Sequence, residues 1–279
     1  MREIEKTFSE LRTRGEGGLI GYVTAGYPEP EDTPIIVDTL IKGGADVIEL
    51  GIPFSDPIAD GPTIQTATTK ALKAGTTPKK VLEIAEEIKQ KNKTPLLILT
   101  YYNPIYRMGI KNFFETAKTS GISGVIVPDL PPEEAGEYKK NAENHEVDTI
   151  FLAAPSTPTE RLRKIVESTS GFLYLVSVYG VTGARRKIQD QTIELVKKTL
   201  LITQGKIPLA VGFGISKPEH VKTITQSGAD AAIVGSKIIK IIEKKHENEE
   251  EMLKTLKEYT NQLKRATVKP IPEKPLTRT

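Results

Sequence analysis

The stretch GGADVIELG, from Gly43 to Gly51, reads as a helix-ending glycine, a short turn and a buried strand. The same order returns in SGISGVIVP from Ser120 and in SGADAAIVG from Ser227. A chain that repeats this pattern is assembled from βα units. Working outward, strand-length apolar runs occur at Leu19–Thr24, Ala45–Leu50, Pro95–Tyr101, Gly124–Pro128, Thr149–Ala153, Phe172–Ser177, Pro208–Gly212 and Ala231–Val234. Most are continuous Val/Ile/Leu/Ala runs, the mark of parallel strands covered on both faces. Helical patterns such as Pro78–Asn92 and Gln191–Gln204 lie between them. Eight strands separated by helices predict an α/β fold, a single (β/α)8 TIM barrel, with a doubly wound open sheet as the alternative.

The rest of the chain fits that plan. Met1–Arg14 carries Ile4, Phe8 and Leu11 at helical spacing and is expected to be an extra N-terminal helix under the barrel. The 279 residues suit one such barrel, which takes about 250. No Gly/Ser- or Pro-rich linker divides them before the last dozen, so residues 1–266 are expected to form the barrel domain. Residues 267–279, ending in VKPIPEKPLTRT, are expected to be a disordered tail.

Composition removes several function classes. There are no cysteines, hence no disulfide, thiolate nucleophile or Cys-ligated metal. The charged N-terminus lacks a signal-peptide core, and no run is long enough to span a membrane; a cytoplasmic protein is expected. With 39 basic against 36 acidic residues the net charge is +3, which gives no reason to expect nucleic-acid binding. Of the short basic clusters, only Arg185-Arg186-Lys187 lies near a strand-end loop that could meet an anionic substrate.

In a barrel the chemistry belongs to the C-terminal ends of strands and the loops after them. No lysine lies inside a predicted strand, against a Schiff-base aldolase or attached pyridoxal phosphate. The three histidines, His145, His220 and His246, fall in helical or surface patterns and read as surface residues, so no metal site is expected. Carboxylates remain. Glu49 lies within a strand covered on both faces, where a carboxylate is costly unless paired or used in chemistry, and where burial raises its pKa. The plain alternative is a structural glutamate held by a buried Arg or backbone donors. Asp60 follows in GIPFSDPIADGP, a loop stiffened by Pro53, Pro57 and Pro62; Asp56 is a second candidate, and either also suits a turn or cap. Three glycine-bearing segments, Gly180–Arg185, Val211–Ser216 and Ile233–Ile242, stand at successive strand ends and together favour a phosphate site.

Here the residues meet a family. IELGIPFSDPIADGP, from Ile48 to Pro62, resembles the signature of tryptophan synthase α subunits, and GYVTAGYP, GVTGAR, GFGIS and GSKIIKIIE resemble family segments in the family's order. The resemblance spans Phe8 to Lys264. It implies a lyase of tryptophan biosynthesis that splits indole-3-glycerol phosphate to indole and glyceraldehyde 3-phosphate. It implies that Glu49 is the acid–base and that Asp60 hydrogen-bonds the indole N–H. Gly183, Gly214, Gly235 and Ser236 match phosphate-binding positions, and Thr182 the threonine of a mobile loop after strand six. Tyr174 matches a tyrosine near Glu49, while Tyr101 and Asp129 match strand-end residues near the site. Phe213 is expected to line the indole pocket beside Leu99, Val127 and Ile64. Tyr22 stands where many members have phenylalanine against the indole, and its hydroxyl needs a partner; Val178-Tyr179 falls in a variable part of the mobile loop. No cofactor is implied in this chain. Pyridoxal phosphate is implied in a β subunit that joins it in an α2β2 heterotetramer and receives the indole. The alternatives weighed are a stand-alone indole-releasing lyase, a non-catalytic activator of a partner, and another phosphate-binding barrel.

Overall fold

The computed structural model describes residues 1–177 and 190–268. Nine strand segments form one all-parallel sheet: β1 (Gly18–Thr24), β2 (Val47–Gly51), β3 (Leu96–Leu99), β4 (Ile122–Ile126), β5 (Asp148–Ile150), β6 (Leu152–Ala153), β7 (Leu173–Val176), β8 (Leu209–Gly212) and β9 (Ala231–Val234). Their order, β5-β4-β3-β2-β1-β9-β8-β7-β6, is that of a barrel whose fifth strand is recorded in two pieces. Only Phe151 separates those pieces. The first bonds β4 and the second bonds β7, so one chain segment closes the ring by changing neighbours. The carbonyl of Phe151 still accepts the Tyr174 N–H, at 3.1 Å. The expected (β/α)8 barrel is therefore observed, and the open sheet is not.

The helices follow the apolar periodicity. Before and between the first strands come α1 (Glu3–Thr13) and α2 (Thr33–Lys42), then α3 (Pro62–Lys73) and α4 (Pro78–Lys91). Next are α5 (Tyr102–Met108), α6 (Ile110–Thr119), α7 (Gly136–Asn144) and α8 (Thr159–Ser168). The last four are α9 (Asp190–Thr203), α10 (Pro218–Gln226), α11 (Ser236–Lys245) and α12 (Glu249–Arg265). On α4, Val81, Leu82, Ile84, Ala85 and Ile88 are buried, one stripe of a 3.6-residue period against the sheet. Among the described residues no helix is long and apolar enough to cross a membrane.

The repeated sequence pattern has a physical cause. Gly44, Gly121 and Gly228 end their helices at φ of 105°, 76° and 107°, a backbone region that costs a glycine little. Two of the repeats then place an aspartate ahead of the strand. Asp46 accepts the Leu19 N–H at 2.8 Å and Asp230 accepts the Leu209 N–H at 2.9 Å. Each ties the start of its own strand to a neighbour. The third repeat has Ser123, whose hydroxyl donates to Glu3 at 2.6 Å instead.

Helix α1 closes the bottom, as its spacing predicts. Ile4, Phe8 and Leu11 are buried, the Phe8 ring lies 5.9 Å from that of Phe172, and Arg2 reaches Asp148 at 2.8 Å. Of residues 267–279, only the first two are described. Thr267 is buried, its carbonyl accepts the Gly17 N–H, and Val268 bridges Glu16; residues 269–279 lie outside the described residues.

Candidate functional site

The top of the barrel holds a cavity of about 340 Å3 lined by Tyr22, Glu49, Asp60, Gly61, Ile64, Leu99, Tyr174, Ser177, Phe213, Gly214, Ile233, Gly235 and Ser236. Strand register explains the first of these. Tyr22 on β1 and Glu49 on β2 are direct partners in the parallel ladder, so both present their side chains at one level of the ring.

Glu49 is 1 % exposed, and among the described residues its Oε2 has no hydrogen-bond partner. No buried arginine or backbone donor among them holds that atom, so the structural role weighed for it finds no support there. Burial pushes its carboxyl up to about 8, and the nearby charge of Asp60 adds in the same direction. Asp60 sits in the loop after β2. Burial raises its carboxyl to about 6, while the Tyr101 hydroxyl acts in the opposite sense. Two carboxyl groups on one cavity thus hold their protons unequally, Glu49 the more tightly.

The loop of Asp60 is fastened from outside the cavity. Tyr101 accepts the Ala59 N–H at 3.0 Å, and its ring packs 5.3 Å from that of Phe54. The backbone carbonyl of Asp60 accepts from the Gln65 amide at 2.8 Å. Asp56, the other candidate of this loop, is exposed and accepts from Ser55 at 2.5 Å.

Two tyrosines wall the cavity. The hydroxyl of Tyr22 finds the partner it needs in Thr24 Oγ1, at 3.1 Å. It lies against Gly51, where a Cβ would overlap it, and a Cβ on Gly235 would stand 3.0 Å from the Tyr22 ring. Tyr174 stands in the same way over Gly212 and meets Phe213 edge-on at 5.9 Å. Burial pushes both phenols well above their ordinary range, with Asp60 the next cause for Tyr22 and Glu49 for Tyr174.

The opposite rim is built of backbone. Phe213 and Gly214 have successive φ of 70° and 73°, and the carbonyl of Phe213 accepts from the Ser177 hydroxyl. A left-handed phenylalanine is strained and needs such fixing. Beside it Gly235 caps α11, and Ser236 is that helix's first residue. The first-turn N–H groups of a helix have no partner within it, so this end offers donors and positive potential to an anion.

The structure brings Tyr22, Glu49, Asp60, Ile64, Leu99, Tyr174, Phe213, Gly214, Gly235 and Ser236 to the lining of one cavity. It leaves others out of the lining. Tyr101 supports the Asp60 loop, and both carboxylate oxygens of Asp129 accept the Tyr102 N–H at the start of α5, at 2.9 and 3.2 Å. Val127 also stands outside it, by a separate depression with Phe151 and Val176. Thr182, Gly183, Val178-Tyr179 and the Arg185 cluster lie outside the described residues. Gly61, Ser177 and Ile233 line the cavity without having been singled out. Ser177 had a signal, a hydroxyl ending an apolar strand run, and Ile233 opens the glycine-bearing segment read above as part of a phosphate site. One histidine reading is corrected: His220 is 4 % exposed rather than on the surface, because α10 turns it inward with Val221 and Ile224.

Comparison with known proteins extends these observations. The family model described as tryptophan synthase alpha chain matches residues 8–268. A curated tryptophan synthase alpha chain from Methanothermobacter thermautotrophicus is 44 % identical over 93 % of this chain and 96 % of its own. One from Methanosarcina acetivorans is 49 % identical over 87 % of each. Among solved structures, a chain of tryptophan synthase from Mycobacterium tuberculosis superposes with a TM-score of 0.87 at 32 % identity, covering 97 % of this chain and all of that one. A chain from the Pyrococcus furiosus tryptophan synthase α2β2 complex, described for its mutual activation, gives 0.83 at 44 % identity over 89 % and 98 %.

Proposed function

The chain belongs to the tryptophan synthase alpha chain family, and from that premise we propose which of its residues carry the reaction. The α subunit is a lyase that cleaves indole-3-glycerol phosphate to indole and glyceraldehyde 3-phosphate, and it passes indole to a β subunit in an α2β2 assembly.

The cleavage needs two proton movements. Ring carbon C3 must gain a proton, so that the indole accepts the electron pair of the breaking C–C bond. The side-chain hydroxyl next to that bond must lose a proton, so that its carbon becomes the aldehyde. Glu49 handles both: protonated at neutral pH, it supplies the ring proton and is restored from the hydroxyl. Asp60, ionised at the same pH, accepts the indole N–H and stabilises the positive charge that grows on the ring. Ile64, Leu99, Phe213, Tyr22 and Tyr174 enclose the ring. Gly214, Gly235 and Ser236 receive the phosphate at the α11 N-terminus, and the resemblance adds Thr182 and Gly183, which lie outside the described residues. Tyr101 and Asp129 act one layer back: Tyr101 holds the Asp60 loop and Asp129 the start of α5.

Residues 1–266 form the whole catalytic unit, working in the cytoplasm without a cofactor. Pyridoxal phosphate belongs to the β subunit, which consumes the indole. The observation that carries this reading is the buried Glu49 carboxyl, whose Oε2 has no partner among the described residues, sharing one cavity with Asp60. Glu49→Gln should abolish indole release with substrate binding retained, and Asp60→Asn should lower kcat by roughly 10²–10⁴-fold. Near-normal turnover of a folded Glu49→Gln protein refutes the assignment.

A further inference from the structure

The strained loop that carries Gly214 into the cavity ends at Ser216, and both backbone polar groups of Ser216 are held by side chains of outer helices. Its carbonyl accepts the hydroxyl of Tyr259, on α12, at 3.1 Å. Its N–H donates to Nδ1 of His220, on α10, at 3.4 Å. Neither helix contributes a residue to the cavity wall. At the other end of the loop, the Phe213 carbonyl is held by Ser177 at the end of β7. Gly214 thus stands between two fixed points, one on the barrel wall and one on the outer helical layer.

We propose that Tyr259 and His220 are positioning residues for phosphate recognition: they fix the outer end of the Phe213–Ser216 loop so that Gly214 meets the substrate's phosphate. The inference rests on the phosphate site assigned above to Gly214, Gly235 and Ser236.

Three features favour this over simple support of the helices. The bonds fall at the ends of a segment with two successive left-handed residues, where backbone position is poorly self-determined. Tyr259 is a partly buried phenol whose pKa burial pushes up, so its hydroxyl stays a neutral donor throughout the working range. Helix α12 also packs on α11, whose N-terminus forms the other half of the site, so Tyr259 joins the two halves through one rigid element. His220 must act through an acceptor at Nδ1, which an asparagine Oδ1 offers at the same number of bonds from the backbone.

The test compares indole-3-glycerol phosphate with indole-3-glycerol, which lacks the phosphate, as substrates of the full chain with its β subunit. Tyr259→Phe should raise KM for the phosphorylated substrate about five-fold, the worth of one net hydrogen bond, with kcat within two-fold. Its constants for the unphosphorylated substrate should stay unchanged. His220→Leu should behave likewise, and His220→Asn should restore the parent KM. If Tyr259→Phe and His220→Leu lower urea stability yet leave the KM ratio of the two substrates intact, the bonds only brace the helices and the inference is overturned. If the parent protein itself shows equal KM for both substrates, the phosphate site fails and takes the inference with it. Those two failures are distinguished by the parent ratio alone.

Discussion

Replacing Glu49 with glutamine should change how stability depends on pH, by an amount the structure sets. The Glu49 carboxyl stands at about 8 in the fold against an ordinary 4.5. Between these values the folded chain keeps a proton that the unfolded chain has released, so stability falls as pH rises through this window. Above about 8 both forms are ionised, and the penalty is constant. At 1.36 kcal/mol per pH unit the full penalty is at most about 5 kcal/mol, of which roughly 4 falls between pH 5 and pH 9. Against a total stability of about 5–15 kcal/mol that is a large fraction. Glutamine keeps the shape and cannot ionise. Any fixed cost of its amide is the same at every pH, and every other ionisable group is common to both proteins. Urea unfolding of both chains at steps from pH 5 to pH 9 gives the difference directly. The variant should gain on the parent by several kcal/mol as pH rises. A difference flat to within about 0.5 kcal/mol, or one running the other way, means that Glu49 ionises at an ordinary pH. The proton-donor role built on its burial then falls.

Activity should show the same group. The kcat of the parent should decline above about pH 8, and Asp60→Asn, which removes a charge that raises Glu49, should move this limb to lower pH in a full pH–rate profile. Gly51→Ala drives a methyl into the Tyr22 hydroxyl and should cost about 1–3 kcal/mol by urea unfolding; adding Tyr22→Phe should recover part of it, and strict additivity in the double-mutant cycle rules out the contact. Ile58 is 81 % exposed in the loop that carries Asp60, so Ile58→Ser should weaken activation by the β subunit more than it changes turnover of the isolated chain, measured by titrating β into a fixed amount of α.

What could be read without coordinates follows a physical division. Strands buried on both faces announce themselves as unbroken apolar runs, and a carboxylate inside one is conspicuous, which is why β2 and Glu49 were legible. The break at Phe151 was not. A strand that exchanges one neighbour for another keeps the same composition throughout. Strand ends were harder than strands. Nothing in the alternation separates Tyr101 and Asp129, which work behind the cavity, from Leu99, which lines it. His220 was misread although the signal existed: it stands four residues before Ile224, on the buried stripe of α10. The repeated glycine–alanine–aspartate pattern was seen, but its aspartates gained a role only when their partners across the sheet were known.

The lengths of the ladders divide the barrel mechanically. Between β1 and β2 the pairing runs from Ile20–Val47 to Thr24–Gly51. Between β6 and β7 it is only Leu152–Tyr174 and Ala153–Leu175, and between β8 and β9 only Ala210–Ala231 and Val211–Ala232. Amide exchange should therefore be slowest in the sector that holds Glu49 and fastest across the two short seams. Glu49, the proposed proton carrier, is anchored in the sector of longer pairing. On that proposal, the strands from which the phosphate-side loops leave are the ones free to yield as substrate enters, while the carboxyl stays in register with the bond being broken.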